Sequence, residues 1–160
     1  MKQIFESERI SFVAVSALLT ADYLIMVNDH ENVGRFIGGQ HEPYTEEQEN
    51  AWVAAKLEER APVFSMLEKK SGEFIGNIEL MDVHDGEGEL GIAITAKKQD
   101  TGYGTEAVNA LLGYAFDCLG LRRVCLRTRP FNARAIHVYQ KCGFREYKRD
   151  ESHVYMEITR

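Results

Sequence analysis

The stretch "KKQDTGYGTEAVNALLGYAF", which begins at Lys97, spaces its small residues as an anion cradle would. Gly102, Gly104 and Ala107 stand in the order G-x-G-x-x-A and run straight into a helix-like apolar pattern. Glycines let the backbone approach a phosphate closely, and the first turn of a helix points unpaired N–H groups and a partial positive charge at it. A side chain at position 102 or 104 would obstruct that approach. A dinucleotide, a nucleoside triphosphate and coenzyme A all carry a suitable pyrophosphate. The plainer alternative is a glycine turn that needs positive φ.

The elements that must position this motif follow from periodicity. "RISFVAV" reads as a strand, with Thr20 as N-cap of a short helix over 21–28. "YTEEQENAWVAAKLEER" reads as a helix, because Thr45 and Gln48 make a capping box and Ala51, Trp52, Ala55 and Leu57 supply an apolar stripe; Pro62 marks its end. "VFSML", "EFIGNIELMDV" and "ELGIAIT" are strands joined by connections too short for a crossover helix, so an antiparallel meander is expected. "TEAVNALLGYAFDCL" is a helix with Ala107, Val108, Leu111, Leu112, Ala115 and Leu119 on one face, ended by Gly120. "RRVCLRT" is a strand. "NARAIHVYQKC" is a short helix between an Asn132 N-cap and Gly143, and the strands "FREYKRD" and "HVYMEI" close the chain.

Composition narrows the classes. The 160 residues, 44% of them hydrophobic, fit one α/β domain over 1–160 with its own core. A formal net charge of −6 argues against a nucleic-acid partner, and the arginines at 122, 123, 127, 129 and 134 have no interleaved aromatic platform. The early apolar run "FVAVSALL" is too short for a membrane span, so no membrane partner is expected. Cys118, Cys125 and Cys142 lack metal or disulfide spacing and the five histidines lack ligand spacing, so no metal is expected and the compartment should be reducing and cytoplasmic.

A dinucleotide fold would put the glycines after its first strand and an acidic residue about twenty positions on. Here the motif follows a meander, and no carboxylate occurs between Asp117 and Glu146. No Gly-Lys-Ser/Thr closes a P-loop either. "QDTGYG" and "NARAIHVYQKCGF", in this order and on these elements, resemble the two cofactor-side segments of the GNAT superfamily of N-acetyltransferases. The likeness runs from about Arg9 to Ile158. Phrases such as "EFIGNIEL" and "ELGIAI" place it nearest the ribosomal-protein-alanine acetyltransferase-like branch.

The resemblance implies a GNAT fold, a mixed and mostly antiparallel sheet of about seven strands with about four helices, and acetyl-coenzyme A as cosubstrate. It implies that the amides of Gly102, Tyr103, Gly104 and Thr105 hold the pyrophosphate, with Gln99 at the motif's first polar position. The strand "LGIAIT" would splay from "RVCLRT" and offer amides along Gly91 to Ile94, those of Ile92, Ala93 and Ile94 among them, to the pantetheine arm and the thioester carbonyl. Asn132 would contact the coenzyme, Arg134 would meet its ribose phosphate, and Tyr139 would act as general acid; core packing is the plainer role for Tyr139. Some ribosomal-protein acetyltransferases carry a general-base Glu twelve residues before this Tyr, where this chain has Arg127. Glu89 and Glu79 are the remaining candidates, Glu79 on the strand face of Ile75 and Met81, and a salt-bridge role is open for each. Cys142 has no evident base beside it and is a poor nucleophile. The expected partner is an amine acceptor, a protein N-terminus or a small-molecule amine, bound near "NDHENVGRFIGGQHEPY". A non-catalytic acyl-coenzyme A sensor is the alternative, and oligomeric state, a homodimer included, stays open.

Overall fold

In the computed structural model, which describes all residues from Met1 to Arg160, the chain forms one eight-stranded sheet with five α-helices. The strands are β1 (Gln3–Glu6), β2 (Ile10–Ala14), β3 (Val63–Glu68), β4 (Phe74–His84), β5 (Glu87–Ile94), β6 (Arg123–Thr128), β7 (Arg145–Arg149) and β8 (Val154–Thr159). They lie in the order β1-β2-β3-β4-β5-β6-β8-β7, antiparallel throughout except between β5 and β6. The meander is therefore present as the short connections dictate. The expected count of seven strands omitted β1, whose four residues are too few to show alternation. Tertiary stacking fixes that strand: Phe5 lies flat between Phe12 (4.2 Å) and Tyr114 (4.7 Å).

The helices are α1 (Thr20–Val27), α2 (Arg35–Ile37), α3 (Glu46–Glu58), α4 (Tyr103–Gly113) and α5 (Ala133–Lys141). One core, built from α4, α5 and one sheet face, centres on Phe12, Met66, Ile78, Leu111 and Leu126. A second, smaller core packs α1 and α3 on β3 and β4 through Tyr23, Met26, Val53 and Phe74.

Three local expectations are corrected. Thr20 does not cap α1: Ser16 caps the preceding 3-10 turn by accepting from the Leu18 N–H, and the Thr20 hydroxyl donates to Asn50 Oδ1 at 2.7 Å. The capping box of α3 forms as read, but Ala51, Ala55 and Leu57 face water, and the inward face is Glu49, Trp52, Val53 and Lys56 at helical spacing. Finally, α4 begins at Tyr103, relaxes into a π turn over Tyr114–Cys118 before the left-handed Gly120, and leaves Leu119 39% exposed.

A bulge shapes the strand that carries much of the site. Met66 pairs with Gly76 and Leu67 with Phe74, so Ile75 is the extra residue. The bulge reverses the phase of β4: Ile75 joins Ile78 and Leu80 in the larger core, while Phe74 joins the smaller one. Glu79 therefore does not share a face with Ile75. At Gly76 a Cβ would come within 2.0 Å of the Ala93 carbonyl oxygen, which is backbone and cannot yield. Gly76→Ala is expected to lower the melting temperature by about 5 °C or more, as an overpacked site costing about 1–3 kcal/mol should. Thermal unfolding followed by circular dichroism checks this.

Candidate active site

The sheet opens at its one parallel seam. Glu87–Glu89 of β5 pair with Arg123–Cys125 of β6, and beyond Glu89 the two strands part while β5 runs on to Ile94 and β6 to Thr128. The wedge between them leads into a cavity of about 880 Å³ lined from the meander, the start of α4, α5 and the N-terminal helices. The Thr95 N–H donates to the Ile75 carbonyl on β4, so alternation turns the amides of Ile92 and Ile94 to the open edge. The Ala93 amide faces β4 instead, and Ala93 contributes only to the wall. By the same alternation the Gly91 amide also faces β4, which corrects the expectation of consecutive open amides along Gly91 to Ile94.

At the head of α4, Gly102 adopts φ 85°, a left-handed conformation that glycine takes readily. The first intrahelical bond runs from the Glu106 N–H to the Gly102 carbonyl. The N–H groups of Gly102, Tyr103, Gly104 and Thr105 accordingly have no acceptor in the chain, and Gly102, Gly104 and Thr105 line the cavity. Four converging amides at a helix N-terminus can bind a pyrophosphate.

The turn is braced from behind. Arg9 pairs with Glu106 (2.7 Å), donates to the Thr101 carbonyl (3.1 Å) and lies over the Tyr103 ring (4.3 Å). The Tyr103 hydroxyl donates to Glu68, and this bond with that from Lys98 holds the Glu68 carboxyl down at about 2. Tyr103 thus offers its amide to the site and its side chain to the scaffold. Gln99 is a clamp: its Nε2 donates to the carbonyls of Ile94 (2.9 Å) and Asn32 (3.1 Å), tying the end of β5 to the segment that follows α1.

On α5, Asn132 Oδ1 accepts from the Ala135 N–H as the expected cap, and Arg134 forms an exposed pair with Asp100 at 3.3 Å beside the cradle. An exposed pair of this kind is weak and leaves Arg134 able to exchange its partner for a phosphate. Tyr139 is 7% exposed, with Phe144 packed edge-on at 5.9 Å. Its hydroxyl has no partner in the chain, yet no buried side-chain oxygen is orphaned, so the oxygen reaches the cavity surface. Burial pushes the phenol up to about 12 and keeps its proton in place at neutral pH.

Both candidate carboxylates line the same cavity. Glu79 sits 3.8 Å from Lys56; burial raises its pKa, and Lys56 pulls in the opposite direction. Glu89 lies 3.8 Å from Arg127, the residue standing at the expected base position. The other arginines of the cluster also find partners: Arg122 the Asp85 carbonyl, Arg123 Glu87 and Glu157, Arg129 the Ser152 carbonyl. Cys142 is pushed up by burial, as an inert thiol should be.

Among the cavity residues that sequence reasoning missed are Glu49, Trp52 and Asn77. Asn77 accepts from Ser65, which bonds Tyr23, so a buried polar chain backs that wall. Trp52 and Val53, the bulky apolar pair of α3, were the available signal for that face, with Glu49 one turn before them. No group of His, Cys, Asp and Glu is arranged to hold a metal ion, and no helix is long and apolar enough to cross a membrane.

Residues 9–145 match the family model described as an acetyltransferase (GNAT) domain. Spermidine N(1)-acetyltransferase of Vibrio cholerae is 30% identical over 83 residues, 51% of this chain and 48% of that protein. The chain spans about half the length of the curated relatives it matches. Among solved structures, a GNAT-family acetyltransferase from Bacillus anthracis superposes with TM-score 0.84 at 20% identity, covering 96% of each chain. Spermidine N-acetyltransferase from Vibrio cholerae, solved with CoA and spermine, gives TM-score 0.81 at 20% identity over 94% of this chain and 95% of that one.

Proposed function

Because this chain belongs to the GNAT acetyltransferase family, we propose that it moves an acetyl group from acetyl-coenzyme A directly to a primary amine within a ternary complex. The observation that carries the reading is the run of four unpartnered amides, Gly102 to Thr105, opening on a wedge that also exposes the Tyr139 hydroxyl. The site has room for the coenzyme: a Cβ at Gly104 would meet only Ile94 Cδ1 at 3.6 Å and Val138 Cγ1 at 3.8 Å, so the space before the amides is open.

The four amides would hold the pyrophosphate, Arg134 the ribose phosphate, and the amides of Ile92 and Ile94 the pantetheine arm and the thioester oxygen. Acetyl-coenzyme A supplies the activated acetyl group. Glu79, whose pKa is raised by burial, would take the proton of the attacking amine. The protonated Tyr139 would donate to the departing sulfur. A thiolate near 8.5 in water would be a poor match for a phenol at about 12. Burial in this protein also lifts the thiols of Cys125 and Cys142, and the same desolvation would bring the departing thiolate closer to the phenol.

The acceptor is a protein N-terminus or a small amine. Motif phrases favour the ribosomal-protein-alanine acetyltransferase-like branch, whereas the name of the Vibrio cholerae relative brings polyamines into the field. Arg127 at the base position favours a second reading, an acyl-coenzyme A sensor without turnover; Glu79 in the same cavity weighs against it. The proposed setting is a reducing cytoplasm, with one catalytic domain over 1–160.

Incubating the protein with acetyl-coenzyme A and a panel of primary amines, with thiol release and product mass as readouts, tests the function. Acetylated amine in step with free thiol is expected, and cofactor binding with no amine acetylated would establish the sensor instead. In the pH–rate profile, the acidic limb should lie above the ordinary carboxylate range, because Glu79 must lose its proton to act. Lys56→Met removes the cation that pulls Glu79 down and should move this limb to still higher pH; an unmoved limb would remove Glu79 from the base role.

A further inference from the structure

The α3 side of the cavity holds a carboxylate that nothing in the chain neutralises. Glu49 is only 7% exposed, accepts no hydrogen bond and has no ion-pair partner, and since no buried oxygen is orphaned its carboxylate meets the cavity. Burial alone raises its pKa. Glu46 and Glu47, exposed in the same first turn, already complement the helix dipole, so Glu49 is not needed there. Lys56 on the same helix face is occupied by Glu79, and the seven-residue rise separates its Cα from that of Glu49 by about 10 Å. Glu79 and Glu89 each have a cation at 3.8 Å; Glu49 has none.

A desolvated, unpaired carboxylate is costly, and it becomes favourable where a ligand brings the missing charge. The apolar lining on this side includes Met26, Val33 and Trp52, which suits methylenes and, at the indole, a cation. We infer that Glu49 binds a second positively charged nitrogen of the acceptor, so that the acceptor is an aliphatic diamine or polyamine. This assignment rests on the acetyl-transfer reading and adds to it the determinant of substrate choice.

The test compares butane-1,4-diamine with butylamine as acceptors for the wild type and Glu49→Gln, with cofactor affinity measured by calorimetry in parallel. The wild type should show a KM at least tenfold lower for the diamine. Glu49→Gln should raise the diamine KM at least tenfold with kcat within about threefold, leave the butylamine KM within twofold, and melt no lower than the wild type. Equal KM values for the two amines, or equal losses for both in the variant, would overturn the role of Glu49 while acetyl transfer stands. If neither amine is acetylated although acetyl-coenzyme A still binds, the role of Glu49 falls, and the wider panel of primary amines decides separately whether acetyl transfer stands.

Discussion

Gly104→Glu is expected to abolish acetyl-coenzyme A binding while leaving the fold intact. The two halves of this outcome separate because the structure leaves space for a Cβ at Gly104, whose nearest neighbours are flexible side-chain ends at 3.6 and 3.8 Å. The longer side chain reaches into the cradle and sets a negative charge against the phosphates, where four N–H groups now point. A loss of at least 100-fold in affinity, about 2.7 kcal/mol, should be read by calorimetry, with melting temperature close to the wild type. Gly102→Ala is the informative contrast. Gly102 holds φ 85° and Arg9 Nη2 lies 3.3 Å from the position of its Cβ, so that change should cost stability as well as binding. Unaltered affinity in Gly104→Glu would mean that the glycines only shape a turn.

Tyr139→Phe is expected to cut kcat at least tenfold, toward the 10²-fold or more typical of a lost proton donor, with cofactor affinity within about twofold. The substitution removes one oxygen at the cavity surface and keeps the ring packed on Phe144. Stability should hold accordingly. Since burial lifts the phenol to about 12, no loss of a required proton from Tyr139 should appear below that pH in the wild type. A rate unchanged in Tyr139→Phe would return the residue to a packing role.

What the sequence disclosed is the part governed by local rules. The meander follows from connections too short for anything else, α4 from a 3.6-residue apolar period, and the start of α3 from Thr45 and Gln48, both of whose capping bonds form. What it hid is governed by tertiary contact. The inward face of α3 was misread because its most buried residues include a glutamate, and hydrophobic patterning cannot assign a charged residue to an interior wall; Glu49 is inside because a cavity is there. Likewise the face of Glu79 was misassigned by counting alternate residues through Ile75, where the chain has an extra one. Gly76 beside it was the available hint, since a glycine within a strand marks a bulge or a close backbone approach, and here both occur. The parting of β5 and β6 came from family resemblance and not from spacing, and the pairing that stops at Glu89 now supplies its geometry.

The measurement that bears most directly on the central claim is a set of initial rates over a matrix of acetyl-coenzyme A and amine concentrations. A ternary complex, in which the amides of Gly102 to Thr105 hold one substrate while the amine attacks it directly, predicts double-reciprocal lines that intersect. Parallel lines would indicate an acetylated protein intermediate and contradict direct transfer. No acetylated product at any concentration would contradict the enzymatic reading altogether.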